Sequence, residues 1–169
     1  MRNDRDTPRM NPLAWLIGLI LPACGFPAAE GLPPAQPIDV AHIVRPSTPN
    51  TALAAPDGFA PLPDLTTPHY PVPPDRLFAL VGEVAASQPR TFTAAIYPAQ
   101  LQGQYVARSE IFNFPDLIMV QVQPDGAGGS GLIVYSRSVY GQSDLGVNRK
   151  RIVAWLAALQ AKLPPSSER

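Results

Sequence analysis

The chain predicts an α+β fold: a four-stranded, mostly antiparallel sheet with an amphipathic helix before it and one after it. Three observations carry this prediction. Apolar residues recur at helical spacing in "PPDRLFALVGEVAAS" and again near the carboxyl end. Between them, "TFTAAIYP", "QYVARSEIFNF", "DLIMVQVQ" and "GLIVYSRSVY" read as strands separated by short turn-forming segments. Connections of hairpin length favour antiparallel pairing over crossovers, and the order helix, strands, helix suits a layered domain. With 169 residues and 46% hydrophobic content, the chain can hold one modest domain plus appendages.

The first appendage is a signal peptide over residues 1–23. Arg2, Arg5 and Arg9 precede the apolar run "LAWLIGLIL", Leu13 to Leu21. That run falls within the ~7–15 residues of a secretory core and short of the ~20 that span a bilayer. Directly after it, "LPAC" resembles the lipobox of bacterial lipoproteins, with Leu21, small Ala23 and Cys24 in place and Pro22 a departure. The resemblance implies that the Cys24 thiol receives diacylglycerol, that the signal is cut before it, and that the new amino group is acylated. The residue types suit that chemistry, because a thiolate is the nucleophile and the cut needs a small neighbour. The plain alternative is an incidental thiol. Several acyl chains, at ~0.8 kcal/mol per buried methylene, would make a lasting membrane anchor. Cys24 is the sole cysteine, so no disulfide is expected. The expected location is the bacterial cell envelope, on the periplasmic face, with Gly25 after the cysteine favouring an outer membrane where one exists.

From Pro33 to Pro74 there are twelve prolines in 42 residues. Each removes a backbone donor and biases its predecessor toward extended geometry, so neither helix nor alternating strand is expected. Residues 24–45 read as the lipidated cysteine and a flexible tether. Residues 46–74 carry Leu53, Phe59, Leu62, Leu65, Tyr70 and Val72, which is apolar enough to predict an extended segment lying against the domain.

The domain proper spans 75–163, with a tail at 164–169. Asp75 is placed to cap the first helix, whose buried stripe would be Leu77, Leu80, Val81 and Val84. The glycine cluster in "PDGAGGSG" reads as a hairpin reversal, since a phosphate loop would need a helix and a lysine directly after it. The last helix is expected from about Leu145 to Leu163, with Leu145, Ile152, Leu156, Leu159 and Leu163 on one stripe widened by Val153 and Trp155.

The joint before that helix, "YSRSVYGQSDLGVNRKRIVAWLAAL", resembles the carboxyl-terminal signature of the family catalogued as domain of unknown function 1499. Arg137, Ser138, Gly141, Ser143, Asp144, Gly146, Asn148 and Arg149 occupy its pattern. "RPSTPN" at Arg45 to Asn50 and "FPDLIMVQ" at Phe114 to Gln121 extend the likeness over roughly Arg45 to Leu163. A cysteine present in some members is missing after Asn50. The resemblance implies a fold group and no reaction.

On physical grounds the joint can be read two ways. Asp144 would cap the helix, while Arg149, Lys150 and Arg151 sit in its first turns, where the dipole disfavours cations by ~0.3–1 kcal/mol each. A counter-ion is therefore expected. It could be internal, with Arg149 or Arg137 on Asp144, Glu110 or Asp116 and with Asn148 bonding the "RPSTPN" loop. It could be external, with Arg137, Ser138, Ser143, Asp144, Asn148 and Arg149 forming a site for an anion or partner. The candidate partners are the membrane through the anchor, an anionic small molecule, a lipid headgroup or an envelope protein.

Thirteen Lys+Arg against thirteen Asp+Glu leave no basic field, which argues against nucleic acid. No metal or cofactor is expected: His42 and His69 both fall in the proline-rich part without ligand spacing. No catalytic residue is assigned, since Ser138 and Ser143 have no base nearby in sequence. The expected function is thus a lipid-anchored binding or scaffolding module. The alternative is a hydrolase acting on an envelope polymer or ester.

Overall fold

A computed structural model describes residues 21–164. Their main elements are β1 (Thr51–Ala55), β2 (Leu65–Thr66), α1 (Pro74–Ser87), β3 (Thr91–Tyr97), β4 (Gln102–Arg108), β5 (Pro115–Pro124), β6 (Ser130–Ser138) and α2 (Val147–Lys162). The predicted α+β class stands, but the sheet has six strands in the order β2-β1-β6-β5-β4-β3, not four, and it is mixed. β3 to β6 form an antiparallel meander and β1 pairs antiparallel with β6, while β2 adds to β1 in parallel.

The two extra strands come from the segment expected to be merely extended. β1 is the sequence "TALAA", placed between β2 and β6, with Leu53 opposite Tyr135 and Ala52 opposite Ser136. Its alanines have little strand preference of their own, and what makes it a strand is pairing on both edges together with near-complete burial. Tyr70 makes a further bridge to Ser130.

Both helices cover one face of the sheet. Leu77, Leu80, Val81 and Val84 of α1 are buried, as their spacing predicts, against Ile118, Val120 and Val122 of β5 and their neighbours. Asp75 is not the cap: the helix starts at Pro74 with Pro73 before it, and Asp75 lies inside the first turn. There its carboxylate still complements the helix dipole. On α2, Ile152, Trp155 and Leu159 are buried, with Trp155 edge-on to Tyr105 at 5.7 Å between ring centroids. Small Ala52 and Ala54 sit in the same core as these residues and leave room for them. Leu145 is excluded from the expected stripe. It precedes the helix with φ 53° and is 86% exposed, and Val153 is also exposed.

The opposite face carries Leu53, Ala55, Met119, Ile133 and Tyr135, joined by Ile43 and flanked by Val40 and Phe59. Much of residues 24–45, read in sequence as a flexible tether, lies along this face. Gln102 exchanges hydrogen bonds with the backbone of Ile38 at 2.8 and 2.7 Å, and Gln104 donates to the Gln36 carbonyl at 2.6 Å. At the other end, the buried Arg108 guanidinium donates to the carbonyls of Ala23, Ala28 and Glu30, and the Asn113 amide donates to those of Cys24 and Phe26. We call residues 23–38 the strap. Its proline content suits this mode of docking, because apart from the Ile38 N–H it is held through carbonyls, which proline retains.

Candidate functional site

Two places deserve description. The first is the joint between β6 and α2. Asp144 accepts from the backbone N–H of Gly146 at 2.9 Å and of Asn148 at 2.7 Å, so it satisfies free donors at the helix start as its position predicts. Gly146, at φ 77°, makes the left-handed step into the helix.

Asn148 is completely buried and is the hub. Its Nδ2 lies 3.0 Å from the Asn50 carbonyl, 3.0 Å from Ser138 Oγ and 2.7 Å from Asp144 Oδ2, while its Oδ1 accepts from Ser136 Oγ at 2.5 Å and Arg151 Nη1 at 2.7 Å. The predicted bond from Asn148 to the "RPSTPN" loop is thus present at Asn50. Asn50 in turn donates to the Gly141 carbonyl at 2.8 Å, which ties the segment before β1 to the joint.

The counter-ion is internal, but the cation is not the one expected. Arg151 pairs with Asp116 at 2.6 Å, both largely buried. Arg149, one step round the helix, is exposed and makes no ion pair with a described residue, and the same holds for Lys150. The reason is helical geometry: Arg151 follows Asn148 by three positions and shares its inward face, whereas Arg149 and Lys150 point away. Arg137 also leaves the cluster. Strand alternation puts Ser136 and Ser138 toward α2 and turns Arg137 to the opposite face.

Ser143 is exposed and its Oγ accepts from the Leu145 N–H at 3.3 Å. Neither Ser138 nor Ser143 touches a histidine. His42 lies against Asp39 and His69 against Asp125, both far along the chain from the joint. No group of three or more potential metal ligands occurs among the described residues. The joint is a network closed on itself, with each buried polar group engaged by another.

The second place was not foreseen from sequence. Between the strap and the open face of the sheet lies a cavity of about 400 Å³. Leu32, Pro34 and Ile38 roof it, and Val106, Leu117 and Met119 form the floor. Tyr135, 6% exposed, lines it too; its hydroxyl has the Thr51 hydroxyl as a polar neighbour but makes no well-formed hydrogen bond among the described residues. Burial pushes its pKa up, against the opposing charges of Arg137 and Arg45, so the phenol stays protonated at neutral pH. Arg45 is engaged with Asp64 at 2.7 Å; Arg137, at the cavity wall, is exposed and pairs with no described carboxylate. The apolar surplus noted among prolines lies at 46–74, outside this site, whereas the cavity's roof comes from residues 29–38, read in sequence as a tether.

Cys24 is buried under the strap, where burial raises its thiol pKa and the Arg108 charge partly offsets this. The apolar run over residues 13–20, the basis of the signal reading, lies outside the described residues, as do residues 165–169. No helix among the described residues is long and apolar enough to cross a membrane.

Fold and sites together define an α+β protein with two helices on one face of a mixed sheet, a self-satisfied polar joint, and a strapped cavity on the other face. The chain belongs to the family described as "Protein of unknown function (DUF1499)", whose model matches residues 43–159. No curated protein matches it. Among solved structures, it is similar to the crystal structure of Ara h 8.0201, at 15% identity over 56% of this chain and 92% of that one, with a TM-score of 0.43. A likeness of that size supports no argument about function.

Proposed function

We propose that this is a lipid-anchored cell-envelope protein whose domain is a non-catalytic binding module, with the strapped cavity as its binding site. The cavity carries the reading. Its volume lies within the ~300–1,000 Å³ typical of small-molecule sites, and apolar walls with a few polar groups are the usual lining. The polar joint, by contrast, has its hydrogen-bonding capacity already spent internally, which leaves it a structural role. The anchor rests on the basic and apolar leader and the Leu21-Pro22-Ala23-Cys24 motif. Because Cys24 is buried in the docked strap, acylation has to occur while the strap is off the domain. The location that follows is the envelope, facing the periplasm.

Two measurements test this. Labelled palmitate should enter the wild-type protein and fail to enter Cys24→Ala; equal labelling refutes the anchor. The neutral dye N-phenylnaphthylamine should bind saturably to the protein, and Ala94→Trp, placed at the cavity wall on the edge strand β3, should weaken that binding while leaving the fold intact. A dye that does not saturate, or that is indifferent to Ala94→Trp, refutes the cavity as the site.

A further inference from the structure

Resting on the binding-module reading, we infer that the cavity takes an amphiphile with an apolar tail and an anionic head, the tail between strap and sheet and the head at Arg137 and the Tyr135 hydroxyl. Three independent features converge on this class. The roof and floor are aliphatic, so the tail gains by leaving water in proportion to its area. The buried Tyr135 hydroxyl makes no well-formed hydrogen bond among the described residues, with only the Thr51 hydroxyl as a polar neighbour, and native structures rarely leave such a group unsatisfied unless a ligand or water completes it. Arg137 stands at the wall of the same cavity, exposed, and makes no ion pair with a described carboxylate.

The polarity of the head follows from the donors. A phenol O–H and a guanidinium both present protons, and a guanidinium has no acceptor at all. An anionic oxygen satisfies both, and bonds to it from Arg are charge-assisted and forked. An ammonium head would face Arg137 as a like charge. A neutral alcohol could accept from Tyr135 but would draw little from Arg137. Two described carboxylates are committed elsewhere, Asp64 to Arg45 and Asp116 to Arg151 on the helix side of the sheet. The exposure of Arg137 places the head end at the solvent boundary, where an ion keeps part of its hydration while the tail is covered.

The strap makes entry possible without unfolding the sheet. Its hold on the domain near the cavity is a small set of hydrogen bonds from Gln102 and Gln104 to backbone carbonyls, with the Arg108 and Asn113 contacts farther along. Local opening of such a segment costs far less than global unfolding.

The test is displacement of N-phenylnaphthylamine from the purified full chain carrying Cys24→Ala, so that no attached acyl group competes. Decanoate, decyl phosphate, decanol and decyltrimethylammonium are the competitors. We expect decanoate or decyl phosphate to displace the dye at about tenfold lower concentration than decanol, the difference expected for one charge-assisted contact. Which of the two acids is stronger separates a carboxylate-headed from a phosphate-headed ligand. With each variant's competitors referenced to its own dye affinity, Arg137→Gln should erase the preference for the acids over decanol, and Tyr135→Phe should reduce that preference severalfold. Saturable dye binding with equal displacement by acid and alcohol, or a preference for the ammonium, overturns the anionic-head assignment and leaves the binding module standing. Absence of saturable dye binding overturns both.

Discussion

Asn148→Leu is the sharpest probe of the joint. The substitution keeps side-chain volume nearly constant and removes every polar contact of the hub. Some partners retain a second bond: the Asn50 carbonyl still accepts from the Ser138 N–H at 3.0 Å, and Arg151 still reaches Asp116 and Ser136 Oγ. Two donors are stranded in a buried place, the Ser136 hydroxyl proton and one guanidinium N–H of Arg151, both of which pointed at Asn148 Oδ1. At ~1–3 kcal/mol for each unsatisfied buried group, the expected loss is about 2–6 kcal/mol. Against a total stability of ~5–15 kcal/mol this is a large fraction, and it should lower Tm by on the order of 10 °C. Thermal unfolding followed by circular dichroism measures it. Asn148→Asp keeps an acceptor but sets a second carboxylate beside Asp144, so it should destabilise at neutral pH and recover as the pH falls. If Asn148→Leu melts within about 2 °C of wild type, the network is not what holds the joint, and its status as structural rather than binding apparatus loses its basis.

Two further outcomes follow from the same geometry. Arg149→Ala should leave stability unchanged or raise it by ~0.3–1 kcal/mol, since an unpaired cation is removed from the start of a helix; Arg151→Ala should cost about 3–5 kcal/mol by leaving Asp116 buried without its partner, and urea titrations of the two variants should separate them clearly. Alkaline pH should destabilise the protein through Tyr70, whose phenol burial pushes up to about 12 from 10.0. Its folded pKa lies above its unfolded one, so the contribution is complete below pH 10 and is lost as pH rises toward 12, at ~1.4 kcal/mol per unit. Burial raises Tyr105 and Tyr135 in the same direction; Tyr70→Phe should flatten the slope of unfolding free energy against pH, and an unchanged slope refutes the assignment.

Much of the scaffold is written locally. The apolar spacing of Leu77, Leu80, Val81 and Val84 marks α1, and the alternation in β5 and β6 marks strands, because those patterns are one-dimensional records of which face is buried. Asp144 as a cap is legible for the same reason, since the N–H groups it accepts from lie within four residues. Non-local pairing is not. "TALAA" has no strong strand preference, the turn residues on either side of it do not say what it pairs with, and only the edges of β2 and β6 make it a strand. Choosing among three consecutive cations as the partner of Asp116 requires the register of α2 on the sheet, which spacing alone leaves open.

By itself, then, the sequence determined the helix, strands, helix order and the polar joint. Tertiary structure alone decided that the joint turns inward on Asn148, that Arg137 departs to the other face, and that a proline-rich stretch becomes a roof over a cavity. The physical reason is that proline density forbids regular structure but says nothing about docking. Docking depends on carbonyls meeting Gln102, Gln104, Arg108 and Asn113, donors that lie more than 60 residues away along the chain.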